Sequence, residues 1–118
     1  MTMPRLVAAL ALAACASLAH ANDYPTVDRV LYVQSCLRDH PGPAFEMIHK
    51  CSCTIDRIAE KLNYQQFVEL STEANATSIG GERGAVIRDN EGAQKEIRGY
   101  RALQNEAKKS CLIHLEQR

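Results

Sequence analysis

Met47-Ile48-His49-Lys50-Cys51-Ser52-Cys53 admits two readings, and the choice between them decides the fold. In an extended strand alternate side chains share a face, so Met47, His49, Cys51 and Cys53 would line up as a soft ligand set for copper(I) or zinc. In a helix, residues two apart point about 200° away from one another, and the same four side chains scatter. The neighbouring sequence argues for the helix. Phe45, Ile48, Ile55, Ala59 and Leu62 recur at three- and four-residue spacing, the period of one helix face. Pro43 can open such a helix, where its missing N–H costs nothing. The stretch therefore predicts a helix from Pro43 to Leu62 carrying two cysteines that cannot bridge each other.

Each of those cysteines needs a partner elsewhere. The chain has five cysteines, and apart from Cys15 near the N-terminus only Cys36 and Cys111 remain as partners. The pairing is either Cys36–Cys51 with Cys53–Cys111, or Cys36–Cys53 with Cys51–Cys111. The first is favoured, because Cys36 is near the end of one helix and an antiparallel neighbour reached through a short turn brings Cys51 back roughly beside the middle of that helix. There is no Cys-x-x-Cys, so thioredoxin-type chemistry and haem attachment lack their usual motif. The alternative to structural bridges is a metal or thiol site using Cys51 and Cys53, with Met47 and His49.

Upstream, Val27 to Asp39 reads as a helix capped by Thr26, with Val27, Val30, Leu31, Val33 and Leu37 on its apolar side. Pro41-Gly42-Pro43 must end it, since proline disfavours helical backbone at the preceding residue, here His40. The first two helices thus form a hairpin. Downstream, Asn63 with Gln66 resembles a capping box for a third helix over Tyr64 to Ala76, with Phe67, Val68 and Leu70 facing inward. Thr77 to Asn90 has the least regular pattern. A last helix over Glu91 to Cys111 repeats Ala93, Ile97, Tyr100, Leu103, Ala107 and Cys111 at helical spacing. The expected fold is all-α, a small disulfide-stapled bundle of about four helices.

The N-terminus reads as an export signal. Arg5 precedes the uninterrupted apolar run Leu6 to Ala14, which is about half the length of roughly 20 residues needed to span a bilayer. Ala19-His20-Ala21 fits the small-x-small cleavage rule. The expected division is residues 1–21 as signal peptide and residues 22–118 as one helical domain. Leu12-Ala13-Ala14-Cys15 also matches a lipobox, so the alternative product is a lipoprotein anchored through Cys15. Export to the periplasm, an oxidising compartment, favours bridges over free thiols. A chain with no Trp and only two Phe has a thin core, and covalent staples would then matter more.

Lys and Arg number 14, as do Asp and Glu, and loss of Arg5 with the leader would leave one net negative charge. The charges are interleaved, which removes the electrostatic case for nucleic acid. Beyond the leader no apolar stretch approaches membrane length, so no membrane association is expected unless Cys15 is lipidated.

No hydrolytic triad, phosphate-binding loop or dinucleotide fingerprint is present, so neither an enzymatic activity nor a cofactor is expected. The best functional candidate is the glycine-rich segment Gly80, Gly81, Glu82, Arg83 and Gly84 with Arg88 and Asp89. As an interhelical loop it would offer free N–H groups and an ion pair to a partner or anionic ligand. Asp89-Asn90-Glu91 lacks the alternating oxygen ligands of a calcium loop. His40, His49 and His114 read as a turn residue, a helix-surface residue and a tail residue.

Tyr32-Val33-Gln34-Ser35-Cys36, His40-Pro41-Gly42-Pro43, Glu46-Met47, Lys50-Cys51-Ser52-Cys53 and Gly80-Gly81-Glu82-Arg83-Gly84 together resemble small periplasmic Cys-x-Cys helical proteins. These are encoded beside pyrroloquinoline-quinone-dependent alcohol or methanol dehydrogenases and their c-type cytochromes. The resemblance spans nearly all of the chain after residue 21 and carries no catalytic residues with it. It implies an accessory, non-enzymatic role, with a quinoprotein dehydrogenase or its cytochrome as the periplasmic protein partner. Calcium or a lanthanide would belong to that dehydrogenase.

Overall fold

The computed structural model describes residues 22–115. The leader, both cleavage sites and Cys15 lie outside the described residues. Among those described there are five helices and no strand: α1 Thr26–Asp39, α2 Ala44–Ala59, α3 Tyr64–Ala76, α4 Gly81–Arg88 and α5 Glu91–Ser110.

The helix ends follow local chemistry. Pro25, not Thr26, precedes the first turn of α1, and its carbonyl accepts from the N–H groups of Asp28 and Arg29. α1 stops at Asp39, and His40 takes a non-helical conformation ahead of Pro41. α2 ends at Ala59, three residues short of the expected Leu62, and Lys61 N–H bonds the Ile58 carbonyl in a tightened last turn. The capping box is complete. Asn63 accepts from the Gln66 N–H, and the Gln66 side chain accepts from the Asn63 N–H. Asp23 adds a third bond by accepting from the Tyr64 N–H at 3.0 Å.

α2 packs against α1 and α5, and α5 also packs against α3 and α4. The disulfides are Cys36–Cys51 and Cys53–Cys111, with Cα separations of 5.9 and 5.8 Å. This is the pairing the hairpin argument favours. Cys51 and Cys53 leave α2 on different sides, one toward α1 and one toward the end of α5. In the loop-entropy account, closing 15 and 58 residues contributes about 3 and about 4 kcal/mol respectively.

Cys36, Met47, Cys51 and Ile113 form one buried cluster, with Tyr32, Val33 and Leu37 packed against it. Ile55, Ile58, Ile97, Tyr100 and Ala107 are also buried. The expected inner face of α5 is therefore correct at Ile97, Tyr100, Ala107 and Cys111.

The expected inner face of α1 is correct at Val33 and Leu37, which pack against the cluster, and not at its other three residues. Val27, Val30 and Leu31 are 62, 48 and 55% exposed, and on α2 Phe45 is 80% exposed. Ile48 and, on α3, Val68 are exposed as well. The apolar residues of α1 fit two overlapping helical stripes. The Cys36–Cys51 bond selects the stripe of Tyr32, Val33, Cys36 and Leu37, turning Val27, Val30 and Leu31 outward.

Candidate functional site

The glycine-rich segment is not an interhelical loop. Gly80 caps α4, and Gly81 to Arg88 are helical. Gly84 is buried, and a Cβ there would lie 1.8 Å from the Ile79 carbonyl oxygen. Only glycine lets the chain pass this close to itself. Gly81 has φ +72°, a backbone that favours glycine. The Arg88 guanidinium folds back and donates to the carbonyls of Thr77, Ile79 and Gly81 at 3.3, 2.6 and 3.1 Å. Arg88 thus closes the α3–α4 turn. Glu82, Arg83 and Asp89 remain exposed, but the ion pairs among the described residues lie elsewhere, at Arg29–Asp56, Lys50–Glu46 and Arg57–Glu60.

The set Met47, His49, Cys51 and Cys53 does not assemble. Both sulfurs are held in bridges to different helices. Met47 is buried, while the His49 ring lies exposed, edge-on to Phe45 at 4.6 Å between centroids.

A different feature emerges where α1, α3 and α5 meet. α1 and α3 leave a groove of about 520 Å³ between them, floored by Tyr32, Phe67 and Tyr100. The ring centroids lie 6.3 Å apart for Tyr32–Phe67 and 6.4 Å for Phe67–Tyr100, both pairs edge-on, the arrangement aromatic quadrupoles prefer. Asp28 and Asp39 line the α1 wall, and Arg101 and Lys108 the α5 wall. Leu31 borders the groove, which continues the exposed apolar row of α1.

The phenols of the groove are held neutral. Burial pushes the Tyr100 hydroxyl up to about 12, although the hydrogen bond from Gln104 acts in the opposite direction. Burial also raises Tyr32, with Tyr100 beside it adding to the effect. At the groove's end the Tyr64 hydroxyl donates to Asp28 at 2.8 Å, and this bond raises the Tyr64 phenol. Neutral phenols, hydroxyls and a polarised rim suit recognition of a partly apolar partner. The sequence placed Phe67 and Tyr100 on inner faces but gave no sign of the groove, which depends on the angle between α1 and α3.

No helix among the described residues is long and apolar enough to cross a membrane. The two disulfides suit an oxidising compartment. No protein-family model, curated protein or solved structure matches this chain.

Proposed function

We propose that this chain is an exported, non-enzymatic accessory protein of the bacterial periplasm that docks a protein partner along α1. The partner is a quinoprotein alcohol dehydrogenase or its c-type cytochrome. The observation that carries the docking surface is the exposed row Val27, Val30 and Leu31 beside the groove floored by Tyr32, Phe67 and Tyr100. Apolar side chains at i, i+3 and i+4 are the anchor pattern of helix-in-groove recognition. Tyrosine and arginine at the same place are residue types enriched at interface hot spots. The leader and the disulfides support the compartment. The motifs from Tyr32 to Gly84 quoted above support the choice of partner through their resemblance.

The test is binding of the purified protein to a quinoprotein dehydrogenase and, separately, to its cytochrome. Micromolar or tighter association with one of them is expected. Leu31→Asp should weaken it by about tenfold or more while helicity is unchanged, because the residue is exposed in the free protein. Failure of both candidates to bind, or binding by Leu31→Asp equal to that of the parent, would overturn the reading.

A further inference from the structure

We propose that His40, Met47 and His114 form a binding site for one copper(I) ion, in the cleft between the α1–α2 turn and the C-terminal tail. All three line a single cleft of about 730 Å³, together with Asp39 and Lys50. The site lies apart from the α1 partner row and uses neither disulfide.

The first observation is at His40. Its Nε2 is buried and has no hydrogen-bond partner, whereas buried polar atoms ordinarily find one. A metal ion would satisfy it.

The second is the tail. Leu112 has φ 63°, a left-handed conformation that is uncommon for a bulky side chain. Around it, Leu112 N–H donates to the Lys109 carbonyl and Ile113 N–H to the Lys108 carbonyl, the paired bonds of a Schellman turn. The turn drives Ile113 into the cluster of Cys36, Met47 and Cys51 and sets His114 on the wall of the His40 cleft. Strained backbone of this kind persists where the surrounding structure over-determines it.

The third is Met47. Gly42 passes directly over it, so that a Cβ at position 42 would lie 3.0 Å from Met47 Cγ and 3.4 Å from Sδ. Met47 is buried, yet it lines the same cleft as His40 and His114.

The donor set selects the metal. Among the described residues no three His, Cys, Asp or Glu side chains come together as a metal site, which disfavours zinc and the hard cations. Two imidazoles and a thioether suit soft copper(I). Of the charged side chains lining the cleft, Lys50 is paired with Glu46 and Asp39 contributes a negative charge beside His40.

The experiment is competition for copper(I) between the purified protein, both disulfides intact, and the chromophoric chelator bicinchoninate under anaerobic conditions. One equivalent per chain is expected. Loss of an outer-shell partner alone costs a metal site about tenfold or more, so His40→Ala, His114→Ala and Met47→Leu should each weaken binding by at least that factor. His49→Ala, on the exposed side of α2, should bind as the parent does. His114 is exposed, so its variant stays folded even if Met47→Leu does not. The proposal is overturned if the oxidised protein holds no copper(I) against the chelator. It is equally overturned if binding appears only after the disulfides are reduced, or if His114→Ala binds as tightly as the parent.

Discussion

Gly84 lies so close beneath Ile79 that a Cβ at position 84 would meet the Ile79 carbonyl oxygen at 1.8 Å, and the Arg88 guanidinium donates to that same oxygen at 2.6 Å. The glycine and the arginine are two halves of one device. The first permits the close approach of the turn to α4, and the second satisfies the carbonyls that the approach leaves behind. The obstruction is backbone, which cannot swing aside as a flexible side chain does. Gly84→Ala is therefore expected to cost about 1–3 kcal/mol, the range for forced overpacking, as measured by urea unfolding.

Arg88→Ala should act more gently. It removes donors to three carbonyls, but the site is exposed and water can replace them, so a loss of about 1 kcal/mol is expected. Amide exchange should speed up across Thr77 to Asp89 and leave α2 unchanged. If exchange in α2 rose equally, Arg88 would be supporting the whole bundle and not this turn.

Leu112 presents the opposite case, a side chain where the backbone favours none. Its φ of 63° costs about 1–2 kcal/mol for an L-residue, and the side chain is largely exposed, so little packing offsets that cost. Glycine removes the strain but adds unfolded-state entropy of about 0.4–1 kcal/mol. Leu112→Gly should therefore stabilise the protein, by about 0.5–1 kcal/mol net. A lower unfolding midpoint in the variant would mean that Leu112 contributes packing that its exposure does not reveal.

The buried tyrosines predict sensitivity to alkali. Burial raises Tyr100 to about 12, and Tyr24 and Tyr32 are raised as well. A phenol raised in the folded state holds its proton there after the unfolded chain has lost it near pH 10. The unfolded state then binds fewer protons, so stability is fully present below pH 10 and falls as pH rises toward 12. Tyr100 accounts for up to about 2 kcal/mol of that loss. Tyr100→Phe should flatten the decline, as read from unfolding midpoints between pH 9 and 12.

How much of this was legible in the sequence varies with how local the cause is. Asn63 and Gln66 signal the start of α3 through bonds made within one turn, and Pro41-Gly42-Pro43 fixes the hairpin by excluding helix. That residues 51 and 53 on a helix must diverge excluded a bridge between them and left two pairings, of which the hairpin favoured the one observed. The inward face of α1 was not legible, since Val27, Val30 and Leu31 fit helical spacing as well as Tyr32, Val33 and Cys36 do. α4 was hidden by its own glycines, which lower helix propensity while permitting the contact with Ile79. The groove and the His40 cleft were invisible because their walls come from residues far apart in the chain.

The two bridges should fail differently when removed. The Cys53–Cys111 loop is the longer, and its loss should cost about 1 kcal/mol more in chain entropy than loss of Cys36–Cys51. Against this, Cys36 and Cys51 are both buried in the cluster with Met47 and Ile113, so replacing them with alanine also opens a cavity. The two double alanine variants should thus lose similar global stability, each about 3–5 kcal/mol. What separates them is location. Cys111 ends α5 and starts the turn that carries Ile113 and His114, so Cys53→Ala/Cys111→Ala should release the amide protection of Leu112 and Ile113 while α1 stays protected. Cys36→Ala/Cys51→Ala should instead loosen α1 against α2, while Cys53–Cys111 still holds the end of α5. Equal loss of protection at both ends in either variant would show that the bundle unfolds as one unit, with no separate role for either bridge.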